Sequence, residues 1–146
     1  MNPRNNTETL LYRALTEHFA KIGYRYAFEV TLPRTCNARV DIIAYKPDFS
    51  EIIAIEVKNR DLNRLLIQIL LRQFYADKLY AALPEQYALT FKKRFINILQ
   101  KYGIGVLSVS GSEVREVLAS KKRKIDKDIR SQVIQRIMRR EKSCKM

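Results

Sequence analysis

Two short segments, Val40-Asp41-Ile42-Ile43-Ala44 and Ile52-Ile53-Ala54-Ile55-Glu56-Val57, are apolar at consecutive positions rather than at every second one. Successive side chains of a strand point to opposite faces, so a strand that is apolar throughout must be covered on both sides. The requirement asks for helices above and below a sheet. The short connection centred on Pro47 predicts that the two strands pair as antiparallel neighbours. Each carries one acid.

The flanking segments supply the cover. Leu11, Ala14, Leu15, His18, Phe19 and Ile22 recur at spacings of three and four, which predicts an amphipathic helix from about Thr7 to Ile22, with Thr7 as N-cap and Gly23 as stop. A strand near Tyr24–Leu32 follows, before strands near Ala38–Tyr45 and Glu51–Lys58. Next come a helix from about Asp61 to Ala76, with Leu65, Leu66, Ile69, Leu70 and Phe74 facing inward, and a strand near Lys78–Leu83. A helix near Gln86–Tyr102, ended by Gly103, and a strand near Gly105–Val109 complete a strand–helix–strand crossover, which implies a parallel pair. From about Ser112 onward the chain reads as helical, with Ile125, Ile129, Val133 and Ile137 every fourth residue and Lys and Arg between them. The expected organisation is an α/β domain over residues 1–111 and a basic amphipathic helical extension over 112–146.

At 146 residues and 47% hydrophobic content the chain can build one core. It has no apolar run of the roughly 18–20 residues a membrane span needs, and its first residues lack the apolar stretch of a secretory signal. A soluble, cytoplasmic protein with no membrane partner is expected. The formal charge is +13, and the 27 residues from Ser120 to Met146 hold eleven Lys and Arg against three Asp and Glu. Such a surplus favours a polyanion, because neutralised phosphates release condensed counterions. Cys36, Cys144 and a single histidine, His18, cannot assemble a four-ligand zinc site.

The chemistry sits in Glu56-Val57-Lys58. Glu56 and Lys58 share one strand face while Val57 points to the other. A carboxylate inside an apolar strand is costly unless something compensates, and Lys58 or a divalent cation could do so. With paired strands about 4.8 Å apart, Asp41 and Glu56 can converge on one ion. Magnesium usually takes one or two protein carboxylates and keeps waters and substrate phosphate as further ligands. The competing account is a buried Glu56–Lys58 ion pair with Asp41 satisfying backbone. Against it stand the apolar strand, the Asp in the neighbouring strand, and the early acid in the preceding helix.

An acid in the first helix, an Asp on one strand and Glu-x-Lys on the next resembles the PD-(D/E)XK nuclease superfamily, over about Thr7 to Ser110. The resemblance implies a restriction-endonuclease-like mixed sheet flanked by helices and hydrolysis of DNA phosphodiesters with magnesium or manganese. It implies that Asp41, Glu56, the Val57 carbonyl and Glu8 hold metal, that Lys58 is the catalytic lysine, and that Gln68 faces the site. Glu17 competes with Glu8, and either fits a solvated helix face as well. Val40 stands where the name-giving Pro would be. Alternatives are a Holliday-junction resolvase acting as a homodimer, and a non-catalytic DNA-binding protein on a nuclease scaffold. Lys121, Lys122, Arg123, Lys124, Arg139 and Arg140 are expected on DNA phosphates, or on the wet side of a packing helix. Arg34, Arg39, Asn59 and Arg60 flank the site, where phosphate contacts and solvated turns explain them equally. Tyr75, Tyr80 and Tyr87 read as core or boundary aromatics.

Overall fold

The computed structural model describes residues 6–145. Six strands form one sheet whose spatial order follows the chain: β1 (Arg25–Thr31), β2 (Arg39–Tyr45), β3 (Ile52–Val57), β4 (Lys78–Pro84), β5 (Ile104–Ser110) and β6 (Glu113–Leu118). The pairs β1–β2, β2–β3 and β5–β6 are antiparallel, while β3–β4 and β4–β5 are parallel. The four helices are α1 (Asn6–Lys21), α2 (Leu62–Leu70), α3 (Glu85–Tyr102) and α4 (Lys127–Lys145). The result is the expected α/β class, a mixed sheet flanked by helices.

The doubly apolar strands are covered on both faces. Every residue of β3 is buried. Ile52 and Ala54 join one core with Leu62, Leu65, Leu66 and Ile69 of α2, Phe91 and Leu99 of α3, and Val133 and Ile137 of α4. Ile53, Ile55 and Val57 join a second core with Leu11, Leu15 and Phe19 of α1. One layer thus holds α2, α3 and α4, and α1 alone covers the other face.

Gly105 explains how the parallel pair closes. It lies beside Tyr80 in the β4–β5 register, and a Cβ there would stand 2.4 Å from the Tyr80 ring and 2.7 Å from the Leu118 carbonyl oxygen. The close backbone approach needs a residue without a side chain. Gly105→Ala should lower the unfolding free energy by about 1–3 kcal/mol, the usual size of an overpacking penalty. A chemical denaturation midpoint unchanged from wild type would refute this.

Four expectations are corrected. The segment after Ser112 is not helical throughout: residues 113–118 form β6, the turn at Gly111 and Ser112 folds it back on β5, and helix resumes only at Lys127. Gly111 at φ +58 supplies the left-handed turn residue, and the charged strand is tolerated because it is an edge. Lys121, Lys122, Arg123 and Lys124 therefore lie in an irregular connection. The helix after β3 stops at Leu70 rather than Ala76, with Leu71 as its C-cap and Asp61 as its N-cap. Phe74, expected inside, is 65% exposed because the chain has left helical geometry before reaching it. Ile22 lies past the end of α1 and is exposed, and Thr7 sits inside the helix rather than at its cap. Cys36 is exposed, and the side chain of Cys144 lies outside the described residues. Among the described residues no helix is long and apolar enough to cross a membrane.

Candidate metal centre

The β2–β3 ladder runs Tyr45↔Ile52, Ala44↔Ile53, Ile43↔Ala54, Ile42↔Ile55, and just beyond it the side chains of Asp41 and Glu56 share a hydrogen bond. Asp41 is half-buried, and its Oδ2 accepts the Val57 backbone N–H at 2.8 Å. That bond ties the acid to the strand bearing Glu56.

Glu56 is 1% exposed. Its carboxyl is pushed up to about 8, first by burial and then by the negative charge of Asp41, with which it also shares a side-chain hydrogen bond. The guanidinium of Arg72 pulls the other way without outweighing them. A buried acid hydrogen-bonded to a second acid favours a proton or a cation between them.

Arg72 is the residue that sequence reasoning missed. It follows α2, is itself buried, and donates from Nε to Glu56 Oε2 at 3.3 Å and from a terminal nitrogen to the Arg39 carbonyl at 3.0 Å. The competing account of a Glu56–Lys58 pair is thereby corrected, since the partner of Glu56 is Arg72. Alternation gives the physical reason. Glu56 points to the α2 layer, and the turn that ends α2 brings residue 72 back over it. A legible signal existed: Gln68 and Arg72 are four residues apart, hence on one side of the expected helix, beside inward Leu65 and Ile69.

Gln68 is half-buried, and its Oε1 is a buried acceptor with no hydrogen-bond partner among the described residues. Lys58 is half-buried and continues the ladder by donating its backbone N–H to the Ala82 carbonyl at 3.2 Å. Glu8, also half-buried, lies in the first turn of α1, in the layer opposite Glu56 and Arg72. Among the described residues no group of three or more His, Cys, Asp or Glu is arranged to hold a metal, so Glu8 and Glu17 do not complete a cluster with Asp41 and Glu56. The residues present fit a hard divalent cation on Asp41 and Glu56, with most of its shell left for water and substrate.

Of the flanking residues, Arg34 is tied by Nε to Gln132 Oε1 at 3.1 Å, while Arg39 and Arg60 are exposed and Asn59 is half-buried. Tyr75 and Tyr87 pack against the core as boundary aromatics, and Tyr80 is buried over Gly105. Several basic residues serve the fold. Arg123 caps α3 by donating to the carbonyls of Tyr102 and Gly103, and Arg140 Nε donates to the Phe28 carbonyl at 2.9 Å. Lys121, Lys122 and Lys124 are exposed.

No family model matches the chain, and no curated protein matches it. Solved structures do. A protein of unknown function from Silicibacter pomeroyi, SPO1766, superposes with a TM-score of 0.74 at 18% identity, over 97% of this chain and 90% of its own. An XisH family protein from Nostoc punctiforme PCC 73102 superposes with a TM-score of 0.52 at 18% identity, over 74% of this chain and 94% of its own. At such identities the likeness is one of fold.

Proposed function

We propose that the protein is a metal-dependent nuclease of the PD-(D/E)XK type that hydrolyses DNA phosphodiesters. The observation that carries the reading is the pair Asp41 and Glu56 on adjacent central strands, hydrogen-bonded side chain to side chain, with Glu56 buried. A net charge of +13 supplies the attraction for a polyanionic substrate.

Asp41 and Glu56 would hold magnesium or manganese, with the Val57 carbonyl as the further ligand that the resemblance assigns. When bound, the cation supplies Lewis-acid activation of the phosphodiester and of the attacking water. Lys58, on the same strand face as Glu56, orients that water or offsets charge developing on the phosphate. Arg72 pairs with Glu56, and with a cation on that carboxylate its guanidinium would be available to a phosphate. Gln68 offers its unpartnered oxygen to water at the site. Glu8 is retained only as a residue of the first helix, outside the acid pair.

A non-catalytic DNA-binding protein on the same scaffold is the second reading, favoured by the Arg72–Glu56 contact, which occupies one of the two ligands. Calorimetry with manganese separates the two. The nuclease reading expects saturable binding that Asp41→Ala removes, with cleavage on a panel of linear duplex, single strand and four-way junction. Absence of both metal binding and cleavage leaves the second reading. Preference for the four-way junction would narrow the activity to a resolvase, which needs two symmetric sites and hence a homodimer.

A further inference from the structure

Thr31, Arg136, Arg139 and Arg140 line a cavity of about 170 Å³ between the end of β1 and α4. Residues 136, 139 and 140 are spaced by three and four, so they share one side of α4. Val133 and Ile137, both fully buried, seat the helix and fix which side meets the strand end. Arg140 is held further by its Nε bond to the Phe28 carbonyl, and Arg34 ties the loop after β1 to Gln132 of the same helix. None of the lining residues is acidic. Each guanidinium carries five N–H donors in a planar fork, and an oxyanion seated in the cavity accepts from those that face it.

The location narrows the anion. Thr31 pairs with Arg39, two residues before Asp41 on β2. Two strand residues and one interstrand step separate Thr31 from Asp41, about 8 Å of backbone. Phosphates along one DNA strand repeat every ~3.4 Å of helix axis, so the cavity stands one to three nucleotides from the acid pair. We infer that Thr31, Arg136, Arg139 and Arg140 form a binding pocket for a single backbone phosphate of DNA that flanks the linkage at Asp41 and Glu56. The identity of the polyanion rests on the nuclease reading; the anion pocket does not.

Full-length protein carrying Asp41→Asn, which keeps DNA uncleaved, is titrated by fluorescence anisotropy with duplexes bearing one neutral methylphosphonate linkage at successive positions. One linkage should weaken binding by about tenfold, and adding Arg136→Ala and Arg139→Ala should abolish that sensitivity. The slope of log K against log salt should fall by about 0.9, the value for one lost phosphate contact. Lys92→Ala with Lys93→Ala removes the same charge from α3 as a control. Circular dichroism melts confirm that each variant folds. Equal losses in the arginine and lysine variants, or a methylphosphonate profile that the arginine substitutions leave unchanged, would overturn the pocket. Absence of cleavage by the wild-type protein would count against the nuclease reading alone, because this binding profile needs no cleavage.

Discussion

Asp41→Asn is expected to lower DNA cleavage in magnesium or manganese by at least about a thousandfold, the loss typical of removing a main electrostatic contributor to a transition state. The amide keeps the shape of Asp41, and its oxygen can still accept the Val57 N–H, so the β2–β3 ladder should survive. Binding to DNA should stay within about threefold of wild type, because phosphate attraction comes from the basic surface rather than from this acid. Lys58→Ala should separate cleavage from binding in the same way, with a smaller loss of about a hundredfold. Cleavage by the Asp41→Asn protein within tenfold of wild type would remove the acid pair from the mechanism. Loss of the folded state in both variants would point to a structural role instead.

The second large effect is on stability. In the presence of a chelator the folded protein should lose stability as pH rises, and Glu56→Gln should remove most of that loss. The sign follows from proton binding. The carboxyl of Glu56 is raised from 4.5 to about 8, by burial first and by Asp41 second. Between those values the folded chain holds a proton that the unfolded chain has released. Stability from this group is therefore fully present below about 4.5 and is lost as pH climbs through 8, by roughly 5 kcal/mol in all. Glutamine fills the same space and cannot ionise. Urea unfolding at pH 5 and pH 9 should show a fall several kcal/mol larger in wild type than in the variant. Manganese added at the high pH should restore wild type alone, because the cation replaces the proton between the acids. Equal pH slopes in the two proteins would show that Glu56 is not held in its protonated form.

These expectations rest on features of unequal visibility. The central strands could be read directly: ten apolar side chains across β2 and β3 leave no solvated face, and a covered sheet is the physical solution. The parallel crossover was equally legible, since a strand, a long amphipathic helix and a strand have little choice of handedness or direction. β6 was lost in a charged stretch. Its residues have no apolar run of their own, and only pairing with β5 beyond the Gly111 turn makes them a strand. The end of α2 is hidden for a related reason. Its apolar spacing continues to Phe74, while the backbone turns at Leu71.

Residue type and two-residue periodicity were enough to make Asp41 and Glu56 neighbours, and their side chains do share a hydrogen bond, because strand geometry is a short-range property. The Arg72 contact to Glu56, the capping use of Arg123 and the gathering of Arg136, Arg139 and Arg140 beside Thr31 depend on chain segments far apart in order. Long flexible side chains reach whichever acid, carbonyl or cavity packing sets before them, and no local pattern encodes that choice. Backbone alternation is written residue by residue, whereas charge pairing is settled only when the helices dock.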